Sequence, residues 1–302
     1  MEINQLKNLL SGFSSNVSFA HNLKNKNWFN IGGKAKVFYK AENLKELIIF
    51  LRKLNNRERI FILGAGSNIL IPDSLFDGIV IKLSKNFNNI SLLGEDTIIA
   101  GSAVLDKSLS DFAMNNDLSG FEFLSCIPGT IGGGIKMNAG CFGREFKDIL
   151  LSVQVIDKVG NVRKILSKNI EFEYRKNNLS DDLIFLSASF KGQKSNKLKI
   201  SSEIKKLKTL KEKNQPTKVK TSGSTFKNPI LQTKKKVWEL IKESVPLDQS
   251  FGDASISDKH CNFFVNKGNA TFEDMSKLIN FVSKKVFEKT GISLEKEIKI
   301  LK

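Results

Sequence analysis

Cysteine and histidine are scarce in this chain of 302 residues, which has three of the first and two of the second. Cys126, Cys141 and Cys261 are odd in number and contain no Cys-x-x-Cys pair, so a disulfide framework is not expected. With only His21 and His260 as nitrogen partners, a zinc site is not expected either, and no metal is called for. Long apolar runs are also missing. The longest, such as Leu47–Leu51 and Gly78–Ile81, fall far short of the roughly 20 residues that span a bilayer. Met1–Phe13 lacks a basic stretch followed by a long apolar core, so no secretory signal is expected. These absences point to a reduced, cytoplasmic protein. A Gly-x-Ser-x-Gly elbow is absent around Ser224, which leaves a hydrolase triad unsupported.

The apolar fraction of 40% is enough for a real interior, and the length suggests two or three domains. The formal charge is +17, but its distribution argues against nucleic acid. Between Lys191 and Lys220, eleven lysines against two glutamates put +9 into one segment. Such a run reads as a solvated helix face and linker, with a secondary use in steering an anionic small molecule.

Asn43 reads as the N-cap of a helix with Leu44, Leu47, Ile48, Leu51 and Leu54 on one stripe. Lys36–Lys40 before it, and Arg59–Leu63 and Gly78–Leu83 after it, read as strands of a βαβ-like unit over residues 20–83. Thr97–Gly101, Ser152–Asp157 and Leu183–Phe190 read as strands of a second α+β unit. It has a helix at Lys107–Asn115 and a hairpin turn at Lys158–Asn161. A lysine-rich helix carrying Ile200, Ile204 and Leu207 stops at Gln215-Pro216. The last helix starts at a capping box, Thr271–Asp274, and places Met275, Leu278, Ile279, Val282, Val286 and Phe287 in a core. The expected division is 1–83, 84–195 and 196–302.

Two glycine loops stand out. Gly64-Ala65-Gly66-Ser67-Asn68 follows a buried strand, where consecutive N–H groups can form an anion nest. It is not the dinucleotide fingerprint of a Rossmann fold, because Ile69 occupies the third glycine position. Ile127–Gly134, with Gly129, Thr130, Gly132 and Gly133, is followed at once by Met137-Asn138-Ala139-Gly140-Cys141-Phe142-Gly143. Glycines at this density weaken a merely structural element, whereas close approach to a flat ring or a diphosphate requires them. Two such loops fit a long dinucleotide. Polar loops at Tyr174-Arg175, Thr221–Pro229 and Ser255–Phe263 read as further site segments, although each alone is compatible with an ordinary turn.

Together these segments resemble the UDP-N-acetylenolpyruvoylglucosamine reductase (MurB) family over residues 20–300. The resemblance runs through Asn30–Ala35, Gly64–Asn68 with Leu70 and Asp73, Leu118–Leu124 and Ile127–Gly133. It continues through Met137–Gly140, Tyr174-Arg175, Gly223–Pro229, Ser257–Asn262 and Leu294–Glu297. It implies an α+β protein. Two subdomains would form an FAD-binding fold of the vanillyl-alcohol-oxidase (PCMH) type, ahead of a C-terminal substrate-binding domain. Non-covalent FAD is implied, reduced by NADPH, with hydride passing from flavin N5 to the enolpyruvyl β-carbon of a UDP-linked sugar. The product is the UDP-N-acetylmuramate of peptidoglycan synthesis.

Carried over by motif, Arg175 clamps the substrate carboxylate, Ser224 protonates the α-carbon, and Glu297 acts on the carboxyl side. A protonated Glu297 is expected, since an ionised one would repel the enolate. Gly64, Ala65, Gly66, Ser67, Asn68, Gly129, Thr130, Gly132 and Gly133 fall to the cofactor. Asn138, Lys227, Asn228, His260 and Asn262 fall to the substrate. Three departures are visible: Cys126 in place of glycine before Ile-Pro-Gly, Asn177 in place of a serine after Tyr-Arg, and Lys299 in place of an arginine. With only Tyr39 and Tyr174, the chain looks like the shorter branch, without a tyrosine-bearing loop over the substrate. A monomer free of nucleic acid and membrane is expected. The competing reading is an FAD-dependent oxidase of the same fold acting on another alcohol or sugar.

Overall fold

The computed structural model describes all residues except Ser14. They form two compact units, and the chain crosses between them repeatedly. The first unit comprises Met1–Phe19, Lys36–Ala65 and Asp77–Lys211; the second comprises Ala20–Ala35, Gly66–Phe76 and Glu212–Lys302. The expected limit at residue 83 falls inside the first unit. The one at 195 precedes a helix whose body also belongs there. That helix, Lys197–Asn214, buries Ile200, Ile204 and Leu207 and turns its lysines outward.

The first unit contains two sheets, each with its own core. One has the strand order Val17–Asn22, Lys34–Ala41, Phe76–Leu83, Ile60–Ile62, the last two parallel with Ile60 opposite Ile79. The helix Leu44–Leu54 begins where the Asn43 side chain accepts from the Glu46 N–H at 2.9 Å, an N-cap contact worth about 1 kcal/mol. Its stripe of Leu47, Leu51 and Leu54 is fully buried, each leucine contributing about 1.5–3 kcal/mol. Tyr39 stacks on Phe50 at 3.8 Å in the same core.

The other sheet is antiparallel, in the order Val162–Leu166, Leu150–Ile156, Ile184–Lys191, Thr97–Gly101, Ile90–Leu93. Its hairpin turns where the Asp157 carboxylate accepts from the Val159 and Asn161 N–H groups. The helix Asp106–Asn115 packs with Phe121, Phe123, Phe146 and Phe190 into the second core.

The second unit has a three-stranded sheet, Ser250–Phe251, Ala254–Ile256 and Phe264–Asn266, with helices Val237–Ser244 and Phe272–Thr290. Thr271 and Asp274 cap each other at the start of the long helix, and Gly291 ends it in a left-handed conformation. Met275, Leu278, Ile279, Val282 and Val286 are buried as the periodicity requires. Phe287 is not. It is 54% exposed, because the residue next to Val286 lies about 100° further round the helix and leaves the buried stripe. Lys299–Ile300 pairs in parallel with Ile69–Leu70 and ties the C-terminus to the segment after the first glycine loop.

Candidate active site

The strand Ile60–Ile62 delivers the first glycine loop. A Cβ on Gly64 would stand 2.7 Å from Thr130 Oγ1, so the two glycine loops meet there and leave no room for a side chain. Lys82 Nζ donates to the Gly64 carbonyl at 2.9 Å and brings a positive charge to the loop. Thr130 precedes the short helix Ile131–Lys136. Ile131 N–H bonds to Val104 O and Gly132 N–H to Ser102 O, both at 2.9 Å, which fixes that turn. The chain passes into the second unit within the first loop. Gly66, at φ +70°, lies against the Lys26 carbonyl and accepts from the Trp28 N–H at 2.9 Å.

Among the described residues, the N–H groups from Gly64 to Asn68 have no acceptor. Unpaired donors in a row beside a lysine fit the diphosphate of a dinucleotide such as FAD. Under the second loop, Asp106 is wholly buried and, among the described residues, neither its carboxyl oxygens nor Ser102 Oγ nor Ser110 Oγ has a hydrogen-bond partner. Burial pushes the Asp106 carboxyl well above the usual range, so it stands as a neutral acid.

Arg175 sits in the two-residue turn of a hairpin in which Glu173 faces Lys176 and Phe172 faces Asn177. Such a tight hairpin turn asks for positive φ, and Arg175 adopts +58°. Its guanidinium is held from several sides. Nη2 donates to Gly140 O at 2.7 Å, Nη1 lies 3.5 Å from Glu145 Oε1, and the group stands 4.9 Å from the Tyr174 ring centre. Asn138 is fully buried, and its amide donates to Glu145 Oε2 and Glu173 O at 3.0 Å each and accepts from the Lys147 N–H. Asn138, expected at the substrate, is engaged here with Glu145, the residue that also meets the Arg175 guanidinium. Asn177 bonds to the last carbonyls of the glycine-loop helix, Ile135 O and Lys136 O, and so joins the hairpin to that helix.

In the second unit, the segment Ser224–Phe226 is bridged to two others. Ser224 pairs with Phe263 on one side, while Phe226 pairs with Lys296 on the other. Glu297 N–H donates to Thr225 O and Lys227 N–H to Glu295 O, both at 2.8 Å, so Ser224 and Glu297 belong to adjoining strands. Asn68 of the first glycine loop reaches the Glu297 carbonyl at 3.2 Å. Asn262 is buried and clamps Phe226 through both backbone groups, accepting from its N–H at 3.0 Å and donating to its carbonyl at 2.9 Å. His260 Nδ1 accepts from the Asn262 N–H, and burial holds its imidazole below the usual value, so it is neutral with its proton on Nε2. Lys227 is nearly buried and pairs with the exposed Glu295 at 2.6 Å. Asn228 accepts from the Val237 N–H at the start of the helix Val237–Ser244.

The predicted residues thus form two groups: Gly64, Ala65 and the second glycine loop with Arg175 and Asn138 in the first unit, and Gly66, Ser67 and Asn68 with Ser224, Glu297, Lys227, Asn228, His260 and Asn262 in the second. Sequence reasoning missed Lys82, Glu145 and Asp106. None lies in a local pattern, and only long-range contacts bring them to these loops.

A glycine-lined cradle on a two-core α+β body defines a flavin-dinucleotide-binding class of enzyme. A family model described as an FAD binding domain matches residues 35–166, and one described as the C-terminal domain of UDP-N-acetylenolpyruvoylglucosamine reductase matches residues 215–301. The UDP-N-acetylenolpyruvoylglucosamine reductase of Pelagibacter ubique is 65% identical over the whole of both chains. That of Rickettsia typhi is 46% identical over 92% of this chain and 93% of its own. The crystal structure of the enzyme from Thermus caldophilus superposes with a TM-score of 0.79 at 30% identity, covering 94% of this chain and 97% of that one. The chain belongs to the UDP-N-acetylenolpyruvoylglucosamine reductase family, and its fold is the FAD-binding α+β fold followed by that family's C-terminal domain. No helix among the described residues is long and apolar enough to cross a membrane.

Proposed function

We propose that this chain reduces the enolpyruvyl group of UDP-N-acetylglucosamine enolpyruvate to give UDP-N-acetylmuramate, the step its family performs in peptidoglycan synthesis. The residues of Gly64–Asn68 and Gly129–Gly133 hold FAD. The bound FAD would supply hydride transfer, from NADPH to the enolpyruvyl β-carbon.

The chain's own residues handle the charge and the proton. As the β-carbon is reduced, negative charge grows on the α-carbon and the carboxylate. Arg175, always ionised and already oriented by Gly140 and Glu145, holds that carboxylate through a two-donor fork. Ser224 gives its proton to the α-carbon, a centre basic enough to take it from a hydroxyl when geometry is fixed. Glu297 orients the carboxyl side as a protonated acid. Lys227, Asn228 and the Nε2–H of neutral His260 serve the sugar nucleotide, while Asn262 and Asn138 hold the two groups in place. The protein acts as a cytoplasmic monomer and binds no nucleic acid.

What favours this reading over an oxidase of the same fold is the backbone pairing that lays the Ser224-Thr225-Phe226 segment along Lys296-Glu297, with the Glu297 N–H on the Thr225 carbonyl. An oxidation needs no proton donor at carbon. The test is the visible spectrum. Purified protein should be yellow, bleach with NADPH, and recover its colour when the enolpyruvyl substrate is added. Oxygen-dependent turnover of a sugar alcohol, with no recovery by the enolpyruvyl substrate, would reverse the assignment.

A further inference from the structure

The glycines of the second loop are not all glycine for the same reason. None of Gly129, Gly132 and Gly133 lies in the left-handed region, so the backbone itself would accept a side chain at each. The space around them differs. A Cβ on Gly129 would stand 2.6 Å from Asp106 Oδ2, closer than real Cβ contacts come. One on Gly132 would meet Ser102 Cβ at 3.1 Å and the Ser102 carbonyl at 3.3 Å. One on Gly133 would meet only Thr130 Oγ1, at an ordinary 3.6 Å.

The segment 102–106 runs alongside 129–132. Leu105 is bridged to Thr130, Ile131 N–H donates to the Val104 carbonyl at 2.9 Å, and Asp106 N–H donates to the Gly129 carbonyl at 3.1 Å. Asp106 opens the helix Asp106–Asn115, so its N–H has no acceptor within the helix and is free for this use. Gly129 is thus gripped by the backbone of Asp106 and underlain by its carboxyl. That carboxyl is wholly buried and has no hydrogen-bond partner among the described residues. A buried polar group in that condition costs stability, so stability is no reason for it, whereas its place under the loop is one. Burial keeps it protonated, and it therefore sets no negative charge beneath a loop that serves a diphosphate.

We propose that Asp106 is the positioning residue of the second glycine loop: residue 129 is glycine to make room for Asp106, and the carboxyl beneath it sets the height at which the loop meets FAD. Asp106 touches no reacting atom and acts through the backbone of Gly129 and Thr130. The consequence for FAD rests on the assignment of this loop to the cofactor; the packing of Asp106 against Gly129 does not. Gly133, where the chain itself leaves room for a Cβ, is the internal contrast.

The test measures the dissociation constant of FAD from the full chain by flavin fluorescence, with the melting temperature alongside. Gly129→Ala should weaken FAD about tenfold or more and lower the melting temperature, because a methyl added to a packed place pushes its neighbours aside. Adding Asp106→Ala to it should relieve both effects and bring FAD affinity to within about threefold of Asp106→Ala alone, the coupling expected of two groups in contact. Asp106→Ala by itself should weaken FAD, since the loop can sink, while Asp106→Asn keeps the shape without a charge and should bind FAD as the wild type does. Gly133→Ala should weaken FAD with no relief from Asp106→Ala. A double variant as weak as Gly129→Ala overturns the proposal, because FAD itself would then need the space at residue 129. Equal FAD affinities in Asp106→Ala and Asp106→Asn, with Gly133→Ala weakened, also overturn it, and this comparison decides alone if Gly129→Ala does not fold. If Gly133→Ala too binds FAD as the wild type does, the assignment of the loop to FAD is what failed. Recovery of the melting temperature in the double variant then upholds the packing of Asp106 on Gly129, and no recovery overturns it.

Discussion

The Arg175 turn and the Ser224 strand are held in different ways. Arg175 belongs to a two-residue turn with little backbone pairing of its own, and its guanidinium is fixed at the far end by Gly140, Glu145 and Tyr174. Ser224 and Glu297 are fixed at the near end, through backbone bonds to Phe263 and Thr225 and the Asn262 clamp one strand over. The difference suits the proposed roles. A charged fork must meet a carboxylate in one orientation, so its tip is preorganised. A hydroxyl that only has to reach a carbon needs its Cα in place.

The sharpest way to break this comparison is to remove the groups themselves. Arg175→Ala should cut the substrate half-reaction about a thousandfold or more while sparing flavin reduction by NADPH. Ser224→Ala should do the same and also slow solvent deuterium incorporation at the α-carbon. Rapid-mixing absorbance of the two half-reactions checks both. Full turnover in Ser224→Ala would end its role as proton donor.

Smaller changes then separate the two kinds of support. Glu145→Gln keeps the shape beneath Arg175 but loses the charge. It should lower substrate reduction about tenfold and leave the melting temperature nearly unchanged, since the pair is partly exposed at 3.5 Å. Asn262→Ala should do the reverse. It leaves the buried N–H and carbonyl of Phe226 unpaired, so a stability loss of about 2 kcal/mol is expected beside any loss of rate. Chemical denaturation with each half-reaction measured alongside reads both. Equal stability losses in the two variants would erase the distinction.

The sequence reveals much of the fold and less of the site. Helix starts were legible because Asn43 and the Thr271–Asp274 box are local chemistry, and the apolar stripes are periodic. Phe287 shows the limit, since a pattern cannot tell the last residue of a stripe from its neighbour. The unit boundaries were not legible at all. Residues 20–35 and 66–76 join the C-terminal part through contacts such as Asn266 Nδ2 to Phe29 O, which no local composition announces. In the site, the motifs named the loops, but the partners that shape them were hidden by distance in sequence. Glu145 lies 30 residues from Arg175, and Asp106 shows no sign of burial in its own neighbourhood.

Asp106 offers the smallest test, and it bears on the first region alone. Its carboxyl is raised by burial, so the unfolded chain gives up this proton at a lower pH than the folded one. Stability is therefore undiminished by Asp106 below the ordinary carboxyl range, and is lost progressively as pH climbs from there towards the folded value. Asp106→Asn removes the ionisation and keeps the size. The melting temperature of the variant should gain on the wild type as pH rises from about 4 to 7, with the two closest at the acid end. Because Asp106 lies beneath Gly129 in the first unit, the Ser224 strand should be indifferent to the change. A wild-type melting temperature that rises in parallel with the variant's across that window would mean the carboxyl finds a partner when ionised, and Asp106 would then be a charged support of the glycine loop.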